Sequence, residues 1–586
     1  MKTTIHTWSR SQAGHSILLV MIISTATFLV LGGLLKWSAG NTAANVRNNQ
    51  YFKTVAAAEA ATEKVITHLT SDYFEEEAVS SNLDRYRAMV PTANESALWG
   101  RYSFSDGEGN ANRTYVEHLP PDEFRVLDSQ YRGLHGYASA FRVISNARDT
   151  GTMFPMTAAL RQDVEVAMIP LFQFAIFYNL DLEINPGPPM AVTGPVHCNK
   201  TIYLRPGNEL RFKSDVTAVS SLVMTRHPDD PDYPGPTSGR VIFEAEHDAG
   251  VPSLNLPIGT NNTPAGVRQI VEIPPPSEPP DSPMGRQRYY NKADLILLMQ
   301  NTGIVGRSGP RVVPRIDIGT NEIRSFLTNV SFFDQREGKT IRAIQLDIGK
   351  LRQWNTNATN RLRPLLPLSD VRTIYIADQR TTNATTLPGV RLVNGHTLLP
   401  KGLTIATPHP LYVRGNYNIS TNGSTVPLPT TNTVMTRPAS LVSDAITVLS
   451  TAWNDAVAGS GISSRTAQPT TVNAAFLAGI VQTTNTGGGS YSGGVENFPR
   501  FLENWSGKVF TYNGSMVVMF DSKQATKKWP GTGEIYNPPN RAWAFDLNFR
   551  DINKLPPETP VARTLIRGKW YTMKPGSTEV VSGTAN

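Results

Sequence analysis

One cysteine, Cys198, stands in 586 residues, so no disulfide can form within the chain and no cysteine-based metal cage is available. The zinc-protease pattern H-E-x-x-H, a complete phosphate-binding P-loop, the dinucleotide pattern G-x-G-x-x-G and the nucleophile elbow G-x-S-x-G are all missing. Basic residues exceed acidic ones by seven but are scattered along the chain. A nucleic-acid face is therefore not indicated. Long apolar runs are scarce as well: the stretch 17–35 is nineteen residues, predominantly apolar and without a charge.

That stretch organises the rest. A helix of this length, at about 1.5 Å per residue, just crosses a bilayer core of about 30 Å. It follows a short leader with Lys2 and Arg10 and ends at Lys36 and Trp37, where a secretory cleavage site would need small residues. Between Asn41 and Leu69 there is neither glycine nor proline, and Tyr51, Val55, Ala58, Thr62, Val65 and Leu69 recur at helical spacing. One continuous helix is predicted over 15–75, apolar first and amphipathic afterwards, stopping near the acidic cluster Asp72, Glu75, Glu76 and Glu77.

The leader ending in Gly14, the apolar run and the alanine-rich helix carrying Ala58, Glu59 and Ala60 resemble type IV pilin-like proteins, above all PilX-class minor pilins and the K-type pseudopilin of type II secretion. The resemblance covers roughly the first 180 residues. It implies a bacterial, single-pass inner-membrane protein whose C-terminal region is periplasmic or extracellular. It also implies cleavage of leader 1–14 by a prepilin peptidase between Gly14 and His15, and association with other pilin-like subunits along the helix, with Glu59, Tyr51, Val55 and Thr62 at the contact. His15 replaces the Phe or Met usual after the cut, and Leu19 stands where major pilins carry Glu, which favours a minor component. The alternative is an uncleaved signal anchor.

Beyond the helix the chain reads as α+β. Tyr102 and Phe104, a Gly-rich turn, then Tyr115 and Val116 suggest a hairpin. Alternation in 141–144, 160–166 and 172–177 predicts a sheet on the exported half of the helix, closing a pilin-like head over 76–185. In 186–250 very short strands, with Val196 and Val216 twenty apart, suggest a parallel β-solenoid, a sandwich remaining open. Residues 251–290, centred on prolines 274–276 and 279–280, read as an extended linker. The stretch 291–586 reads as a β-rich passenger that continues the solenoid, with 207–370 as an excursion. Asn513 and Gly514 predict a hairpin turn between 508–512 and 516–520.

Candidate chemistry is sparse. His227, Asp229, Asp230 and Asp232, with Glu244, Glu246, His247 and Asp248 close behind, could offer oxygen ligands to a divalent cation. Asp106, Glu108, Asn110 and Glu117 match a calcium-loop spacing, but Ala111 occupies the position that needs glycine. In neither place is a solvated loop displaced as the reading, so no metal and no cofactor is expected. A solenoid carbohydrate-active enzyme or carbohydrate-binding protein on a signal anchor is the other function class. Its carboxylates would come from Asp181, Glu183, Asp215 and Asp378, whose spacing singles out no pair. The expectation is a structural, non-enzymatic protein displaying a β-rich region for pilus or secretion assembly or adhesion.

Overall fold

The computed structural model describes residues 13–74, 79–127, 131–151, 155–421, 424–425, 431–485 and 489–576. It is an α+β chain: a long N-terminal apolar helix followed by a large β-rich region with several sheets. The helix, Ala13–Phe74, is 62 residues long, about 93 Å at the ordinary rise. Its C-terminal half packs on a sheet because Ala58, Ala61, Val65, Ile66 and Leu69 fall on one face. They meet Val116, Phe141, Val164 and Leu160.

That sheet has five antiparallel strands in the order Tyr102–Ser105, His135–Asp149, Thr157–Pro170 and Val561–Met573, with Tyr115–Val126 also on His135–Asp149. Two expectations are corrected here. Tyr102–Ser105 and Tyr115–Val126 do not form a hairpin with each other; both pair with His135–Asp149, Tyr102 opposite Asp149 and Tyr115 opposite Ile144. Nor does the head close near residue 185. The strand that completes it is Val561–Met573, from the far end of the chain, pairing Val561 with Pro170 and Met573 with Ala159. Residues 176–178, assigned to the head by their alternation, belong to the next unit.

Everything between Pro170 and Val561 is one insertion, largely a parallel solenoid. Its longest sheet holds twelve strands. The chain enters in the middle at Ile176–Tyr178 and winds outward through Val196–Cys198 and Val216–Ala218 to His247–Ala249. The twenty-residue spacing is the coil itself, Val196 pairing with Val216. Strands Leu182–Ile184, Ile202–Leu204 and Leu222–Val223 form a second face with the same repeat, and Met190–Val192, Glu209–Phe212 and Arg240–Phe243 a third. Parallel pairing on every face of this half excludes the sandwich.

The second half starts at the opposite end. Leu295–Gln300, capped by the antiparallel strands Gly303–Ser308 and Asp317–Ile318, leads into Thr373–Asp378, Leu403–Ala406, Ala439–Ser443, Ala475–Ala478 and Met516–Val518. Met516 then pairs in parallel with Ile176. The two halves are one solenoid in space with its sequence order permuted, so the chain enters and leaves in neighbouring coils. This corrects the reading of 207–370 as an excursion: residues 209–249 are regular coils.

Permutation demands a return path of nine strand spacings, about 43 Å at roughly 4.8 Å each. Residues 250–294 supply it, and the expectation of an extended Pro-rich linker is corrected. Leu254, Leu256, Ile258, Val267, Ile270 and Val271 are buried in the main core, and prolines 264 and 283 begin short helices capped by Thr263 and Ser282. The strap touches successive coils in order. Leu254 exchanges hydrogen bonds with the Asn199 amide, Asn179 donates to Asn262 O, Arg268 pairs with Asp444 at 2.6 Å, and Tyr375 donates to Val271 O.

Asn513 and Gly514 form no hairpin. Val509–Gly514 and Met516–Val518 lie in different sheets, each pairing in parallel with other coils. Asn513 extends a buried corner ladder, its Nδ2 donating to Asn473 Oδ1 at 2.7 Å while the side chains of Asn473 and Asn418 bond each other's backbone carbonyls. A Cβ on Gly514 would stand 2.0 Å from Ala474 O, so the glycine is needed for close backbone approach.

Candidate functional site

The apolar half of the helix finds no partner among the described residues. Leu29 is 73% exposed and Phe28 72%, and the segment is long and apolar enough to cross a membrane. The Thr25 and Thr27 hydroxyls donate to the carbonyls of Met21 and Ile23 at 2.7 Å, which suits a medium without water. Trp37, 68% exposed, stands just past the run beside Lys36, where an interfacial aromatic is favoured. Gly14 and His15 lie in the first turns of the helix. Residues 1–12 of the expected leader and the acidic residues Glu75, Glu76 and Glu77 fall outside the described residues.

Of the four helix residues expected at a subunit contact, the structure separates one. Thr62 is buried, donating to Ala58 O and Ser145 Oγ, so the chain's own sheet occupies that side. Tyr51 and Val55 are half-buried at the edge of the sheet contact, and Glu59 is exposed. Val65 and Leu69, which share the helical period with Thr62, are buried against the same sheet. A neighbour of Glu59 was invisible in sequence. Arg567 of the closing strand pairs with Glu63, Nη2 to Oε2 at 2.8 Å, across 504 residues.

The metal candidates do not converge. Asp230 and Asp232 both turn to Arg226, at 3.3 and 2.9 Å, Asp229 accepts from Asn485 N, and His227 packs edge-on against Tyr203. Glu244 pairs with Arg211 and Glu246 with Arg132, while His247 stacks on Phe243 and Asp248 is exposed. In the calcium-spaced loop Asp106 accepts from Glu108 N, Asn110 N and the Asn110 side chain, and Glu117 lies on a strand against Arg142. Among the described residues no group of three or more His, Cys, Asp or Glu is arranged to hold a metal ion.

The four acids named for carbohydrate chemistry are dispersed. Asp378 is held by Arg380 and Arg342, and Asp215 accepts from Glu246 N. Asp181 and Glu183 do share a cleft, with Arg336, Arg500 and Asn497. Glu183 accepts from Thr483 and Ser492, and its Oε2 is buried without a partner. Glu496, unremarked in the sequence, is buried close by and accepts from Asn185 N. The cleft leaves about 20 Å³, room for a water molecule and not for a sugar ring.

These buried carboxyls have a consequence for stability. Burial pushes the Glu496 carboxyl up to about 7, outweighing the amides and Arg541 that favour its charge. The folded state therefore holds its proton where the unfolded chain, titrating near 4.5, has lost it. Stability contributed by the neutral acid is full below about 4.5 and is lost as pH rises to about 7. Glu496→Gln should flatten that decline, raising stability at pH 8 by about 2–3 kcal/mol with little change at pH 4, as read by thermal unfolding at the two pH values.

No family model matches the chain, and no curated protein matches it. Among solved structures it is similar to the competence-associated pilin ComZ from Thermus thermophilus, 10% identical, with a TM-score of 0.26, the alignment covering 89% of this chain and 97% of that one.

Proposed function

We propose that this chain is a pilin-like subunit of minor-pilin or pseudopilin class, anchored in the bacterial inner membrane by residues 17–35 and displaying an exported β-rich unit for assembly or adhesion. One observation carries the reading: a single unbroken helix whose first half is bare and apolar and whose second half is the spine of a sheet. A tether needs only the membrane segment. Continuing rigidly into the head fixes the head relative to the anchor, the arrangement required of a subunit that must be placed in register with others. In this reading 1–14 is a leader removed by a prepilin peptidase, and the partners are pilin-like helices meeting the exposed side around Glu59. Tyr51 and Val55 border that side, whereas Thr62 acts within the chain.

The test uses two variants in the native host. Leu29→Arg puts a charge near the middle of the span, costing on the order of 3 kcal/mol, and should reduce membrane retention. Glu59→Lys should remain in the membrane and lose cross-links to pilin-like partners, with the mature chain beginning at His15. A parent chain that shows no such cross-links and keeps its leader overturns the reading in favour of a simple anchor.

A further inference from the structure

Four cations gather where the sequence shows only scattered charge. A groove of about 460 Å³ beside the second half of the solenoid is lined by Arg372, Lys401, Arg437 and Lys554. Three of them stand where the chain enters successive strands of the long sheet. Lys401 and Arg437 each precede by two residues the paired positions Leu403 and Ala439, and Arg372 directly precedes Thr373, which pairs with Thr404. Lys401 and Arg437 are thus in register one rung apart, roughly 4.8 Å, and Arg372 stands on the next rung two residues further along its strand. Lys554 faces them from the turn Ile552–Lys554.

None of the four is in an ion pair with any described residue. The Arg372 Nε is buried without a hydrogen-bond partner among the described residues. The one acid in the lining, Asp546, accepts from Thr433 and from Asn548 N and is also drawn to Lys554. Four cations around one lining carboxyl leave the groove with an excess of positive charge, which attracts an anion.

We propose that this groove binds an acidic oligosaccharide, its carboxylates on Arg372, Lys401, Arg437 and Lys554 and its hydroxyls on Thr436 and Asn553. The volume suits a ligand larger than a single ion, and charges spread over successive rungs match an anion repeated along a chain. Side-chain amides and hydroxyls between the cations suit a hydroxylated ligand. Single-stranded nucleic acid fits less well, because its bases need an exposed aromatic platform and the aromatic in this lining, Phe549, is buried. The proposal deepens the display reading by giving the exported unit a ligand class, and it rests on that reading only for its biological setting.

The test is equilibrium binding of a short oligogalacturonate to the full chain in detergent, which does not depend on filament membership. The acidic oligomer should bind, its methyl ester should not, and binding should weaken as salt is raised. Lys401→Ala and Arg437→Ala should each weaken it about ten-fold with unchanged melting temperature, and Lys401→Arg should restore it. Absence of binding, equal binding of the ester, or indifference to both alanine variants overturns the proposal. So does equally tight binding of inorganic phosphate, a small-anion site only, or tighter binding of a single-stranded oligonucleotide. Oligogalacturonate binding in a chain that shows no pilin-like cross-links would leave the groove standing and remove the subunit reading; the reverse would do the opposite.

Discussion

A chain ending at Pro560 is expected to lose its head while keeping its solenoid. The strand Val561–Met573 covers the outer edge of Thr157–Pro170 and buries Ala562, Thr564, Leu565 and Ile566; Leu565 joins the cluster that holds Val65, Ile66 and Leu69 of the helix. Burying the Leu and Ile side chains is worth about 2–3 kcal/mol each, and removing the strand also frees a row of backbone groups along Thr157–Pro170. A loss of roughly 5 kcal/mol from the head follows. Hydrogen exchange should show protection falling in 157–170 and in the helix over 57–69, with the long sheet from Thr373–Asp378 to Met516–Val518 unchanged. Unaltered protection of 157–170 would mean the closing strand does not support the head. Trp570→Ala is the contrasting change: that side chain is 48% exposed, and its removal should cost little.

The second large effect belongs to the strap. Arg268 is buried against Asp444, itself fully buried, and its guanidinium also donates to the carbonyls of Asp521 and Pro408 and lies over the Phe520 ring. Arg268→Ala would leave the Asp444 carboxylate without its cation, supported only by the amides of Lys523, Gln524 and Ala525. Breaking a buried pair from one side costs about 3–5 kcal/mol. The thermal transition should fall accordingly, and limited proteolysis should begin within 250–294. Adding Asp444→Asn to the variant should recover part of the loss, because the stranded charge is gone. A melting temperature within experimental error of the parent would show that the strap is held by its apolar side chains alone.

The sequence by itself determined what neighbours along the chain decide. An alanine-rich stretch free of glycine and proline over 41–69, preceded by nineteen uncharged and mostly apolar residues, favours one helix, so the helix and its change from apolar to amphipathic were legible. The twenty-residue interval between Val196 and Val216 was legible too, because a parallel coil repeats its inward residues at the length of one turn. Tertiary structure alone decided which segments meet. The closing strand reads no differently from any other alternating stretch, and nothing local marks Pro170 as the partner of Val561. Proline density in 251–290 suggested a solvated linker; only the groove along the solenoid turns its scattered Leu, Ile and Val side chains into a buried strap. Asn513 and Gly514 have the composition of a tight turn, yet a ladder amide and a carbonyl 2.0 Å from an absent Cβ fix them in a solenoid corner. Lys401 and Arg437 are 36 residues apart in sequence and one rung apart in the sheet. Local periodicity states which face of an element is apolar, while the identity of the partner is set by pairings across hundreds of residues, whose register no local pattern contains.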